Sequence, residues 1–291
     1  MNGTAEMDSR AAGATAAATL PEVRIRPARR LVPIQLDEVW QYRELLYFLV
    51  WRDVKVRYKQ TFLGVVWAIL QPLVAMAIFT VIFGRLAKLD SEGVPYHLFA
   101  LAGLVPWMLF ATGLATATTS LVSYPSLVKK VYFPRLLLPL ARIVASGVDF
   151  LLSFAMLFLM VLLADVQLSA RMLWLPLFAL LAFVSAAGVA LWASALNVRF
   201  RDIQHITPFA IQIWMFATPV VYSSTVVPER WHALYALNPM AGVVEGFRWA
   251  LYGSGWQPGM ALAVSVAVAV AVLVSGAYFF RTMEKTFPDV L

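Results

Sequence analysis

The chain has 291 residues, of which 61% are apolar and only 13% charged, with a mean hydropathy of +0.76. Soluble domains carry about 25% charged residues, so a chain this apolar cannot clothe a globule in polar surface, and its bulk solvent is lipid. Cysteine is absent, which excludes disulfides, thiolate chemistry and Cys-based metal sites, and the net charge of +7 sits on basic residues that border apolar segments, a mark of membrane topology rather than of nucleic-acid binding.

Residues 1–35 are rich in Ala, Arg and Pro and show no apolar periodicity. The run 11–20 is too weakly apolar for a signal-peptide core, so the segment reads as a disordered cytoplasmic tail. Residues 36–60 read as a helix. At about 100° per residue, Trp40, Tyr47, Trp51, Val54 and Tyr58 fall on one stripe. The cations Arg52, Lys55, Arg57 and Lys59 crowd its C-terminal part, as suits an amphipathic helix in the headgroup region. A stripe packed on protein is the alternative.

Residues 61–291 form the expected transmembrane domain, with apolar segments at about 61–83, 98–121, 136–163, 172–196, 203–221 and 259–280. Each is long enough to cross a hydrocarbon core of ~30 Å. Between the last two, 222–258 is half polar yet contains "ALYALNPMAGVVEGFRWALYG", in which Asn238-Pro239 separates two short amphipathic pieces. Neither is long enough to span, so they read as a re-entrant helical pair buried against protein. Of 23 Lys and Arg residues, this arrangement leaves only Arg85, Lys88, Arg171, Arg230 and Arg248 outside, which places both termini in the cytoplasm.

No G-x-x-x-x-G-K-[ST] phosphate loop occurs, so this chain does not hydrolyse ATP by that route. His97, His205 and His232 lie in three separate segments and give no metal-ligand spacing. Asp149 is the one carboxylate deep within a span; it is either functional or a hydrogen-bond acceptor for a neighbouring helix. In the second span Thr112, Thr116, Thr119 and Ser123 recur at intervals that share one helical face. Such a stripe suits a polar passage, although each hydroxyl can instead bond to the carbonyl one turn earlier. Further lining candidates are Trp67, Gln71, Phe79, Phe110, Phe209, Trp214, Phe216 and Tyr222, because aromatic rings stack on sugar faces and Gln71-Pro72 marks a helix irregularity next to a polar amide.

Four stretches together resemble the permease subunit of ABC-2-type polysaccharide exporters, the lipopolysaccharide O-antigen and teichoic-acid transporters. They are "RELLYFLVWRDVKVRYKQTFLGVVWAILQP" (43–72), "SLVKKVYFPRLLLPLA" (126–141), "NVRFRDIQHITPFAIQIWMFATPVVY" (197–222) and "LNPMAGVVEGFRWALYG" (237–253). The resemblance implies an all-α integral membrane fold of six spans with an N-terminal interface helix, a homodimer in the bacterial inner membrane, and a separate cytoplasmic ATPase that holds ATP and Mg. No cofactor is implied in this chain, and no catalytic or metal residue. It also implies that the loop 124–135 is the coupling helix. There Pro125 and Pro134 bracket a basic and aromatic stretch with Tyr124, Lys129, Lys130, Tyr132, Phe133 and Arg135, of which Tyr132 and Phe133 are the expected apolar anchor. The pair around Asn238 and Pro239, with Glu245 and Arg248 three apart, would be the extracellular gate. The implied substrate is a polyprenyl-pyrophosphate-linked polysaccharide moving outward. Arg52, Lys55, Arg57 and Lys59 would attract its pyrophosphate if topology alone did not explain them. The rivals are an ABC-2 permease for teichoic acid, capsule, a drug or another lipid, a self-sufficient carrier, and, most remotely, an integral-membrane transferase.

Overall fold

The computed structural model describes residues 36–59, 64–164, 166, 169–253 and 256–290. The expected tail 1–35 and the expected start of the first span at 61–63 lie outside these residues. All regular structure among the described residues is helical. The amphipathic segment forms α1 (Leu36–Gln41) and α2 (Arg43–Lys59), divided at Tyr42. The expected aromatic stripe divides: Trp40, Tyr47 and Trp51 are exposed, Val54 and Tyr58 are half-buried, and Leu49 and Asp53 are buried on the opposite face.

Among the described residues, five helices are long and apolar enough to cross a membrane. The first is α3 (Gly64–Phe79), which continues without interruption as a π-helix over Thr80–Leu86. The others are α4 (Tyr96–Thr118), α6 (Leu137–Leu163), α7 (Leu175–Arg199, entered through a 3-10 turn at Ala170–Trp174) and α11 (Met260–Glu284). The segment expected at 203–221 is helical only over α8 (Ile203–Ala217). Its 15 residues rise about 22 Å, less than the ~30 Å of hydrocarbon, and the chain turns at 218–222. Short helices complete the chain: α5 (Pro125–Lys130), α9 (His232–Ala236), α10 (Pro239–Tyr252) and α12 (Phe287–Val290).

α4 is the central element. Of its most apolar window 78% is buried, against 6% for α3, so α4 is enclosed by protein while α3 lies at the periphery. It packs on α6, α7, α10 and α3, and α7 packs in turn along α11. The α7–α11 seam is tight because Gly188 and Gly276 face each other. A Cβ on Gly188 would lie 2.8 Å from the Leu273 amide nitrogen, so the two backbones approach as only small residues allow. A second core joins one end of the bundle: Leu49 of α2, Val128 of α5, Phe133, Leu137 of α6, Phe280 of α11 and Phe287 of α12 pack together. The helices α1 and α2 therefore belong to the same packed unit as the long helices.

Candidate functional site

Polar groups inside an apolar bundle must find partners or border water. Toward one end of the bundle, α2 lies along α6, and their charges alternate across the contact. Asp53 of α2 meets Arg142 of α6, with Oδ2 3.2 Å from Nε. One turn on, the signs reverse: Arg57 pairs with Asp149, about 18 Å along α6 from its first residue. The Tyr58 hydroxyl donates to the other oxygen of Asp149. Burial, then the hydrogen bond to Asp149, raises the Tyr58 hydroxyl well above its ordinary range, so it remains a proton donor. The intramembrane acid thus has a basic partner, one that sequence reading had missed because it placed Arg57 on the headgroup-facing helix.

This pair borders a cavity of about 470 Å³ between α3, α4 and α6. Its walls include Trp67 and Gln71 of α3, Thr112 of α4, Ser146 and Ser153 of α6, and both Arg57 and Asp149. Three of the lining candidates, Trp67, Gln71 and Thr112, are therefore brought together. The rest of the threonine stripe is not. Thr116 Oγ1 donates to the Thr112 carbonyl at 2.7 Å and Thr119 Oγ1 to the Thr116 carbonyl at 3.2 Å, the back-bonding that needs no passage.

The aromatic candidates divide. Phe209 and Phe216 of α8 are exposed on this chain, as is Trp67. Phe110 is fully buried, a correction: it faces the core because it packs edge-on against Trp214, with ring centroids 5.0 Å apart. Trp214 is fixed from its other side as well, its indole N–H donating to Asn238 Oδ1 at 3.1 Å. Phe79 packs against Phe83. The Tyr222 hydroxyl bonds to the Tyr235 hydroxyl and donates to the Phe216 carbonyl at 3.0 Å.

Asn238 caps α10, its Oδ1 accepting from the Met240 amide at 3.1 Å, while its Nδ2 donates to Thr218 Oγ1 at 2.9 Å. It therefore ties the end of α8 to the start of α10, with Pro239 at the first helical position. Glu245 and Arg248, the charged pair of the expected extracellular gate, are both buried. Arg248 is the largest fully buried side chain. Its guanidinium donates to the carbonyls of Pro219 and Val220 at 2.6 Å each, and of Tyr222 and Phe99 at 3.2 and 3.3 Å. It also lies 3.5 Å from the centroid of the Phe99 ring and 3.6 Å from Glu245. Gly103 makes room for this fork: a Cβ there would sit 2.7 Å from the Val220 carbonyl oxygen. Arg248 is thus the clasp that satisfies the carbonyls freed where α8 ends.

At the end of the bundle where α2 packs, α5 and its flanks form the short helix and loop expected at 124–135. Lys129 and Lys130 are exposed and Tyr132 is 86% exposed, but Phe133 is only 4% exposed. The expected aromatic pair is split: Tyr132 projects, whereas Phe133 is drawn into the inner core by Leu49, Val128 and Phe280. Tyr124 and Arg135 do not project freely either. The Arg52 guanidinium covers the Tyr124 ring at 4.2 Å, and the Arg135 amide donates to Glu284 Oε1 at 3.0 Å. Pro125 opens α5 and is exposed; Pro134 is buried. With Arg52 and Arg57 engaged inside the chain, Lys55 and Lys59 are the exposed cations of the cluster 52–59. Among the described residues no three His, Asp or Glu side chains converge as a metal site.

A bundle of long apolar helices defines a multi-pass membrane protein. Residues 44–252 match the family described as ABC-2 type transporter, and the chain belongs to that family. It is 26% identical over 249 residues to the O-antigen export system permease protein RfbA of Klebsiella pneumoniae, covering 85% of this chain and 95% of that one. Over 217 residues it is 31% identical to the protein of the same name from Myxococcus xanthus, covering 74% and 83%. It is also 23% identical over 245 residues to the polysialic acid transport protein KpsM of Escherichia coli, covering 80% and 91%.

Proposed function

We propose that the chain is the membrane subunit of an ATP-driven exporter that moves a lipid-linked polysaccharide outward across the bacterial inner membrane. The observation that carries this reading is similarity along most of the chain to permeases named for O-antigen and polysialic acid export. In this reading the chain is not an enzyme: ATP and Mg are held by a separate cytoplasmic ATPase dimer. The chain works as a homodimer with both termini inside, α8 is a short sixth span, and α9 with α10 forms an outer re-entrant pair. The exposed faces of α3 and α8, which carry Trp67, Gln71, Phe209 and Phe216, supply the wall that two copies enclose. Their aromatic rings give a sugar chain stacking surfaces, and the cavity beside Gln71 and Thr112 widens the inner mouth. The exposed Lys55 and Lys59 attract the pyrophosphate of a polyprenyl carrier. Deletion of the gene in its host, with complementation in trans, tests the proposal. Loss of surface polysaccharide with intracellular accumulation of lipid-linked glycan is expected; an unchanged surface glycan profile would overturn it.

A further inference from the structure

The loop 124–135 is held at both ends by buried ionic contacts, and neither end is held by the loop itself. At its N-terminal end, Asp53 of α2 takes Arg52 Nη2 at 3.0 Å and lies 3.2 Å from Arg142 Nε of α6. Arg142 then donates through Nη2 to the Tyr124 hydroxyl at 2.9 Å, while Arg52 covers the ring of the same tyrosine. At its C-terminal end, Glu284 of α11 accepts the Arg135 amide at 3.0 Å, and its backbone carbonyl accepts from the Arg135 guanidinium. The other oxygen of Glu284 pairs with Arg281 Nη1 at 2.9 Å, and Arg281 Nη2 reaches Glu38 of α1 at 2.7 Å. Each clamp thus centres on one carboxylate, and the two join α5 to α2 and to α1 respectively. The side chains of Asp53 and Glu284 are 4% and 13% exposed. Opening either clamp strands charges in a poorly hydrated place, which is costly even when the intact pair itself adds little net stability.

We infer that Asp53 and Glu284 are positioning residues that make the α1–α2 interface helix and the α5 knob one rigid lever, so that they move together and not independently during a transport cycle. Buried Val128 and Phe133, packed with Leu49 of α2, support the same conclusion from the apolar side. The exposed surface of the loop, Pro125, Ser126 and Lys129 to Tyr132, is left to meet the driving subunit, and a push there reaches α2 and α6 through Asp53. The inference rests on the proposed reading that an ATPase drives this chain.

The absence of cysteine makes the test direct. In the complete complex, Val56→Cys on exposed α2 is combined in turn with Ser123→Cys and Ser126→Cys beside Tyr124. Each pair is bridged within the chain by bismaleimides of graded length. Glycan exported per ATP hydrolysed is compared before and after bridging, in the otherwise unaltered chain and with Asp53→Asn. A single lever predicts that bridging leaves the ratio unchanged in the otherwise unaltered chain. It also predicts that Asp53→Asn lowers the ratio about fivefold with ATP turnover retained, the scale of change expected along a coupling element, and that bridging restores it. Inhibition by bridging, failure of every spacer to bridge, or normal coupling in Asp53→Asn would each overturn the inference. If Asp53→Asn does not accumulate, the bridged and unbridged unaltered chains alone decide. Absence of ATP-dependent export before bridging would instead count against the proposed function.

Discussion

Arg57 and Asp149 pair across 92 positions of sequence, closing the C-terminal end of the amphipathic helix onto the middle of a membrane-spanning one. Both side chains keep about a quarter of their surface exposed, 28% and 23%, which moderates the cost of breaking them apart. Asp149→Asn is therefore expected to cost about 1–2 kcal/mol, and Arg57→Gln a similar amount. The double substitution should cost less than the sum, since each single change leaves one charge without its partner. Thermal unfolding of the purified variants in detergent checks this; strict additivity would contradict a direct pair.

Cysteines introduced at Gln71 and Thr112 should react with a hydrophilic thiol reagent, because both side chains border the 470 Å³ cavity. Cysteine at Ala117, on the same helix but fully buried, should stay protected. Thr116 and Thr119 are expected to react more slowly than Thr112, as their hydroxyls are turned back onto the helix. Equal protection at Gln71, Thr112 and Ala117 would mean that the cavity is sealed from water.

The two aromatics of the inner knob should give opposite phenotypes. Tyr132→Ala is expected to leave stability unchanged and to weaken co-purification of the ATPase, since its side chain is exposed. Phe133→Ala removes a buried ring and should cost about 3–5 kcal/mol before any partner is considered. Thermal melts and pull-downs on the same preparations distinguish them, and a destabilised Tyr132→Ala would refute the assignment.

Replacing Arg248 with Met should destabilise by at least about 3 kcal/mol, because four backbone carbonyls and Glu245 lose their shared donor. Arg248→Lys keeps the charge without the planar fork and should fall between the two. A melting temperature unaffected by Arg248→Met would show that the clasp is dispensable.

Reporter fusions check the orientation. Fusions after Leu89 and after Glu229 are expected outside and one after Lys130 inside, following the positive-inside bias. An external signal after Lys130 would reverse the topology and move the knob away from any cytoplasmic ATPase.

Hydropathy made the long helices legible, because a run of apolar residues has few other places to go. Their ends shift by only a few residues, as in α4 and α6. The helical segment 36–59 was legible from its aromatic periodicity, and the short helix α5 from the proline that opens it. Burial around the knob was not: nothing local distinguishes Phe133 from Tyr132, and their fates are set by Leu49 and Phe280 from distant segments. The ionic partners were hidden for the same reason. Asp53 carried one usable signal, an acid within a basic cluster and one turn after apolar Leu49, on the face opposite the aromatic stripe. The partners of Arg248 were not legible either, because its acceptors are backbone carbonyls, which leave no trace in sequence.

The glycine contact between α7 and α11 sets where this protein is free to change over time. Even a methyl group at Gly188 would press on the Leu273 backbone, so that seam admits almost no variation without separating the helices. The outward faces of α3 and α8 meet no such neighbour within the chain, and bulky, small or polar residues there leave the frame undisturbed. On the proposed reading, in which those two faces wall the passage, adaptation to a new cargo disturbs little else, and such an exporter can diversify what it carries while the machinery that moves it stays fixed.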